Sequence, residues 1–134
     1  MRLMLPFAVV VVVFVVLAAC NRDPCAVDCQ WFGLCTQRAG QCVATNAADC
    51  RKSDACRDYG RCTVDRDECR IGSDADCRSA APCRLDGRCG KPAPIAGISA
   101  SKEKCIATAQ ADCAASQACR ERNLCKLGRN GCEN

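Results

Sequence analysis

Cysteine is the residue type in this sequence that is numerous and regularly spaced enough to indicate a chemical role. The 134-residue chain has 17 cysteines and no histidine. Without histidine, the chain lacks the usual general base near neutral pH and the commonest metal ligand. A cysteine content this high is typical of an exported scaffold cross-linked by disulfides. Because disulfides use cysteines in pairs, the odd number leaves one cysteine that needs another explanation.

The cysteines after Cys20 fall into four groups of four, which we call the first to fourth cysteine sets. The spacing C-x5-C-x5-C-x6-C is present in the second and fourth sets, and the third set differs by an insertion between Cys89 and Cys105. A fixed period indicates an array of similar small units. We predict that these cysteines form disulfides: Cys25, Cys29, Cys35 and Cys42; Cys50, Cys56, Cys62 and Cys69; Cys77, Cys83, Cys89 and Cys105; Cys113, Cys119, Cys125 and Cys132.

The residues around the first two cysteines of each set predict a short helix. An Asp precedes the first cysteine in three sets and is a favoured helix N-cap. A Gly or Asn follows the second cysteine by four residues and tolerates the left-handed conformation that ends a helix. The predicted N-caps are Asp49, Asp76 and Asp112, and the predicted helix ends are Gly33, Gly60, Gly87 and Asn123.

The residues after each helix predict two short strands around a turn. Ala39-Gly40 and Asn130-Gly131 are turn signals in the first and fourth sets. In the second set, a two-residue loop at Asp65-Arg66 would place Cys62 opposite Cys69. We therefore predict that a short β-hairpin follows each helix.

The predicted fold is a small disulfide-rich α+β chain of four tandem units of about 27 residues, after an N-terminal signal helix. The mature chain is poor in large apolar residues, so the units need their disulfides to fold. The predicted segments are a signal peptide at 1–19, a lipidated tether at 20–24, and units at 25–48, 49–75, 76–111 with an inserted loop at about 91–99, and 112–134.

Four cysteines in a closed unit allow three pairings. A continuous helix would separate the Cα atoms of Cys50 and Cys56 by about 9 Å, beyond the roughly 7 Å that a disulfide can bridge. This disfavours first-to-second pairing, and with it third-to-fourth. Of the two pairings left, we prefer first-to-third with second-to-fourth, while bonds between neighbouring units stay open.

The N-terminal residues explain the odd cysteine. An apolar run follows Arg2, as in a secretory signal, and Leu17-Ala18-Ala19-Cys20 resembles the lipobox of bacterial lipoproteins. The resemblance implies cleavage before Cys20, a diacylglycerol on its sulfur and an acylated amino terminus, which together give stable anchoring. By the same resemblance, Asn21 in place of Asp implies the outer rather than the inner membrane. The array of sets also resembles the cysteine-rich tandem repeats of bacterial envelope lipoproteins, a resemblance that names no activity.

Several function classes are disfavoured. The charges of both signs are interspersed and aromatic residues are few, unlike a nucleic-acid interface. Ser101-Lys102-Glu103-Lys104 matches the serine-nucleophile motif S-x-x-K, but its companion motifs are absent, so a solvated loop is the preferred interpretation. The chain has no C-x-x-C or C-x-C cluster of the kind used in metal and redox sites. We expect no catalytic residue, no metal and no cofactor.

Two features could support binding. Trp31-Phe32 lies close to the tether and could cap the core of the first unit, or contact the membrane interface or a partner. The insertion KPAPIAGIS carries Ile95 and Ile98 with little sequence around them to cover them. A tolerated insertion is the preferred interpretation, and a binding loop is the alternative.

The sequence therefore predicts a non-enzymatic, lipid-anchored envelope protein that serves as an interaction or structural module. Its partners would be the membrane, through the lipid anchor, and a protein or another envelope component; nucleic acid is not expected. Two alternatives stay open: a thiol-based metal-binding protein, and an exported inhibitor or toxin-like cysteine-rich factor.

Overall fold

The computed structural model describes residues 23–134, so the predicted signal peptide, the lipobox and Cys20 lie outside the described residues. The described part is a small α+β structure with seven short α-helices and three two-stranded antiparallel sheets. The helices are α1 Ala26–Phe32, α2 Ala47–Lys52, α3 Asp54–Tyr59, α4 Asp74–Ser79, α5 Ala81–Asp86, α6 Gln110–Ala115 and α7 Gln117–Arg122. The strands are β1 Thr36–Arg38, β2 Gln41–Val43, β3 Thr63–Asp65, β4 Glu68–Arg70, β5 Lys126–Leu127 and β6 Cys132–Glu133, and a 3-10 helix covers Ala100–Lys102.

The helical part of the last three sets is not one helix but two, which corrects the prediction. Ser53 separates α2 from α3 with an extended backbone (φ −76°, ψ 157°). Its hydroxyl donates to the Cys50 carbonyl and accepts from the Cys56 N–H, so it closes one helix and caps the next. Ser116 makes the equivalent bonds in the fourth set. In the third set Ala80 takes this place without a side-chain cap, and Pro82 lies in the first turn of the second helix.

The predicted N-caps are also displaced. Asp49, Asp76 and Asp112 lie inside the first turn of α2, α4 and α6, where a carboxylate still favours the helix dipole. In α2 the cap is Asn46, whose side chain accepts from the N–H of Asp49. The helix ends, by contrast, are confirmed. All four adopt the left-handed conformation, at Gly33, Gly60, Gly87 and Asn123.

The hairpin of the second set is shifted by one residue from the prediction. Its loop is Arg66-Asp67, with φ of 49° and 63°, and Val64 rather than Cys62 lies opposite Cys69. Two successive positive φ values match the turn that suits the twist of a two-residue hairpin. The first set has the predicted turn at Ala39-Gly40, and the β5–β6 loop contains the predicted Asn130-Gly131.

The third set has no such hairpin in the described structure, contrary to the prediction of one per set. Gly90 and Ile106 form an isolated antiparallel bridge, with a 2.9 Å hydrogen bond in each direction. The insertion lies between them. The longer connection of the third set is therefore joined at its base by one β-bridge, whereas the second set has a two-stranded β-hairpin.

Every cysteine of the four sets is bonded within its own set, but the preferred pairing is wrong. The structure joins first to fourth and second to third. Because the left-handed residue after α3 turns the chain back, the Cα atoms of Cys56 and Cys62 lie only 4.5 Å apart. The bonds are Cys25–Cys42, Cys29–Cys35, Cys50–Cys69, Cys56–Cys62, Cys77–Cys105, Cys83–Cys89, Cys113–Cys132 and Cys119–Cys125.

The core is built from these bonds and small residues. The first cysteine of each set is fully buried. Ala44 packs with Cys50 and Cys69, and Ile71 packs with the Cys77–Cys105 bond. Because so little aliphatic surface is available, the covalent links replace an ordinary apolar core; each long-loop bond is worth roughly 3 kcal/mol.

Candidate functional site

A cleft lies between the β3–β4 hairpin and the segment 91–104, which we call the inserted segment. Its volume is about 940 Å³. The hairpin forms one wall and the inserted segment the other, so residues from the second and third sets face each other across it. A concave surface of this size is the usual form of a ligand site.

Arg70 and Glu103 hold the two walls together. The Arg70 guanidinium donates to Glu103 Oε1 at 2.6 Å and to the Ile98 carbonyl at 3.1 Å. The second carboxylate oxygen of Glu103 accepts from the Ile71 N–H at 3.2 Å. Both side chains of this ion pair are largely buried, at 18% and 15% exposure. One acidic side chain thus ties the inserted segment to strand β4 and to the residue that follows it.

Arg61 holds the backbone of the inserted segment in place. Its guanidinium donates to the Ser101 carbonyl at 2.6 Å and to the Glu103 carbonyl at 3.1 Å. The residue is only 6% exposed, and its guanidinium lies over the Tyr59 ring, 4.8 Å from the centroid. Burial lowers the pKa of Arg61 below its ordinary value, yet an arginine this basic stays charged. Two carbonyl groups and one aromatic ring therefore stabilise the buried positive charge of Arg61.

The wall formed by the inserted segment combines apolar and cationic groups. Ile95 is 63% exposed, and Pro92 and Pro94 flank it along the cleft. Lys102 and Lys104 lie on the same wall and are exposed. Such a surface can receive an apolar group beside an anionic one.

The S-x-x-K motif lies in this segment. Ser101 Oγ is 3.1 Å from Ser99 Oγ, and either hydroxyl could be the donor. A neighbouring hydroxyl does not activate a serine as a base does. The backbone of Ser101 instead serves as an acceptor for Arg61. The motif thus contributes to the attachment of the segment.

The sequence did not point to Arg61, Arg70 or Glu103. Each arginine adjoins a cysteine, as many charged residues of this chain do, and 33 residues separate Arg70 from Glu103. No periodic pattern marks a contact over that distance. The insertion itself was the detectable signal, because it breaks the spacing of the third set.

Trp31 and Phe32 do not both cap the core of the first set. Trp31 is 52% exposed and Phe32 is 48% exposed on α1. Phe32 borders a small cavity of about 150 Å³ together with Leu34 and Ala55. The Trp31 ring is therefore a surface group, whereas the Phe32 ring partly packs on the second set.

The cysteines leave little room for metal chemistry. All sixteen that fall within residues 23–134 are in disulfides. In the same range, no group of three or more His, Cys, Asp or Glu residues is arranged to hold a metal ion. Across the described helices, none is long and apolar enough to cross a bilayer.

No protein-family model, curated protein or solved structure matches this chain. Eight disulfides indicate a protein that folds in an oxidising compartment outside the cytosol.

Proposed function

We propose that this protein is a non-enzymatic binding module, anchored by lipid at Cys20 on the cell envelope, on the outer membrane rather than the inner. The observation that carries the proposal is the attachment of the inserted segment to the β3–β4 hairpin by Arg61, Arg70 and Glu103. A merely tolerated insertion would not need buried charged groups to hold it. A segment held this way keeps a cleft open for a partner.

The body behind the cleft acts as a tandem array of four units. Support comes from a contact that recurs between successive sets: the glycine that ends a helix lies against the first–fourth disulfide of the next set. A Cβ built at Gly33 would lie 2.6 Å from Cys69 Sγ, and one at Gly87 would lie 2.7 Å from Cys132 Sγ. In the fourth set the equivalent position is Asn123, which carries a side chain. Each unit thus rests on the next, as in a solenoid.

The partner that suits the cleft is a protein or envelope polymer with an apolar group next to an anionic one. Ile95 would receive the apolar group, and Lys102 and Lys104 would face the anionic one. The thiol-based metal alternative loses support, because its ligands would be cysteines that are bonded to one another. Rigid disulfide-linked walls suit recognition, since they lower the ordering cost of binding.

The lipid anchor is tested by metabolic labelling. Labelled palmitate should enter the wild-type protein and fail to enter Cys20→Ser. Intact mass before and after reduction checks the rest of the chain in the same samples, because eight disulfides should add sixteen hydrogens. Equal labelling of both proteins would refute the anchor at Cys20.

The binding role is tested by cross-linking in intact cells. A photo-cross-linker at Ile95 should capture a specific partner, and one at Leu127, on the β5–β6 hairpin, should not. Deleting residues 91–99 restores the six-residue spacing between Cys89 and Cys105, so the variant can keep its disulfides while losing the wall. Because the deletion removes Ile95, the cross-linker is then placed at Lys104. Equal capture at Ile95 and Leu127, or capture from Lys104 that is unchanged by the deletion, would contradict the proposal.

A further inference from the structure

Helix α1 carries a patch of large apolar side chains on its surface. Val27, Trp31 and Phe32 are 67%, 52% and 48% exposed on a helix of seven residues. Val27 and Trp31 are four residues apart, so they lie on the same side of the helix. Cys25 and Cys29, which precede each of them by two residues, fix the helix to the body through two disulfides.

Among the described helices and strands, α1 alone carries more than one exposed large apolar side chain. The other exposed large apolar residues occur singly, on five separate parts of the chain: Tyr59, Leu85, Ile95, Ile106 and Leu127. Scattered single residues of this kind are normal on a protein surface, whereas a cluster marks a contact. The patch on α1 therefore requires an occupant.

The position of α1 in the chain identifies that occupant. Val27 follows Cys20 by seven residues, and an extended chain covers at most about 3.6 Å per residue. The patch thus lies within roughly 25 Å of the sulfur that carries the lipid, along the chain. A membrane anchor at Cys20 keeps α1 beside the bilayer at all times.

The chemistry of the patch fits a neutral phospholipid surface. Tryptophan favours the membrane–water interface, because its ring is apolar and its indole N–H is polar. Asp23 precedes α1 and Asp28 lies in its first turn, and the helix has no Lys or Arg, so the helix itself offers no cation to anionic lipids. Contact of this kind should be insensitive to salt, since screening acts on charges.

We propose that Val27 and Trp31 insert at the level of the lipid head groups and fix the orientation of the protein on the membrane. This inference rests on the proposed lipid anchor. With α1 lying on the bilayer, the body has a defined side toward the membrane, and the module does not rotate freely about its tether.

Trp31 makes the test direct, because it is the only tryptophan of the chain and its fluorescence reports this position alone. The lipidated mature protein, which begins at Cys20, is placed in phosphatidylcholine vesicles whose acyl chains are brominated near the head group. We expect a blue shift of the emission maximum and a loss of emission relative to vesicles without bromine. Both effects should persist at high salt.

Two variants separate the patch from the tether. Val27→Ser keeps the lipid and the fluorophore and should reduce the quenching. Leu127→Ser removes an exposed apolar side chain of the fourth set and should leave the quenching unchanged. Equal quenching in all three proteins would show that the tether alone places Trp31 near lipid, which would overturn the inference.

The anchor and the patch can fail separately. A mass without the lipid would refute the anchor, and with it the basis of the inference. A lipidated protein whose Trp31 is not quenched would overturn the inference and leave the anchor intact. A blue shift without quenching by bromine would also overturn it, because the ring would then be covered by protein.

Discussion

The second and third cysteine sets reach the same covalent geometry by different means. The Cα atoms of Cys50 and Cys69 are 5.6 Å apart, and those of Cys77 and Cys105 are 5.7 Å apart. In the second set, the β3–β4 ladder and a two-residue turn return the chain. In the third, a much longer segment does so, with one bridge at its base.

The two sets differ in the interactions that order the segment between their third and fourth cysteines. The short hairpin is specified by its own backbone bonds and turn. The inserted segment is ordered by Arg61 and Arg70, which belong to the preceding set. A longer loop costs little additional closure entropy. The third set can therefore accommodate a long connection, because side chains of the preceding set hold it in place. The result is a cleft that neither set forms alone.

The largest effect is expected at Gly60, where the two sets meet. A Cβ at this position would lie 2.7 Å from Cys105 Sγ and 3.3 Å from the Asp76 carbonyl, and φ is +77°. Gly60→Ala should lower the free energy of unfolding by about 2–5 kcal/mol, as backbone strain and overpacking add. Denaturant unfolding of the oxidised protein measures it.

Gly40→Ala is the matched control for that substitution. Its φ is +80°, and a Cβ there would meet no atom within 4 Å. It should cost only the backbone term of about 1–2 kcal/mol. Equal losses in the two variants would mean that contact between the sets contributes nothing to stability.

The next largest effect should come from Arg61→Met. The variant keeps an apolar stem but leaves the Ser101 and Glu103 carbonyls without their charged donor. A loss of about 1.5–3 kcal/mol is expected. Hydrogen exchange should rise over residues 98–104 and stay unchanged in the β3–β4 hairpin. Exchange that rises equally in both regions would contradict the view that only the inserted segment depends on its neighbour.

These effects show which features could be predicted from the sequence. The glycine and asparagine helix ends follow from local backbone rules, and they are confirmed. The break at Ser53 is not predicted, because the start and end signals of each set predict one helix across both cysteines, whereas the Ser53 hydroxyl replaces a backbone partner between them. Helix geometry correctly disfavours first-to-second pairing, whereas the choice between the other two pairings depends on the turn at Gly60, which brings Cys62 next to Cys56.

The cleft could not be predicted because it depends on distant side chains. Arg70 and Glu103 are separated by 33 residues, and neither differs in type from the surface charges around it. Local rules describe one unit at a time. The position of an insertion can be found from spacing, but the residues that hold it are fixed only when two sets pack together.

A smaller effect is expected for Glu103→Gln. The amide keeps the shape of the carboxylate but loses the charge that pairs with Arg70, so about 1–2 kcal/mol of stability should be lost. Glu68→Gln is the control, because Glu68 also contacts Arg70 but is 46% exposed, and a surface pair is worth about 0–1 kcal/mol. If the two variants lost the same stability, burial of the Arg70–Glu103 pair would not be what holds the segment.

The smallest effect should come from Asp58 on α3, which faces solvent away from the cleft. A bidentate hydrogen bond from Arg57 lowers the pKa of Asp58 below its ordinary value. Because the folded-state pKa is the lower one, the stability it contributes is present above the unfolded pKa of about 3.9 and is lost as pH falls through the folded value. Solvent screening keeps that contribution within about 0.5 kcal/mol.

The free energies of unfolding of wild type and Asp58→Asn in urea should therefore differ slightly at neutral pH and converge under acid. A difference that persisted unchanged in acid would mean that Asp58 acts through packing, and the distinction between exposed and buried ion pairs in the second set would not hold.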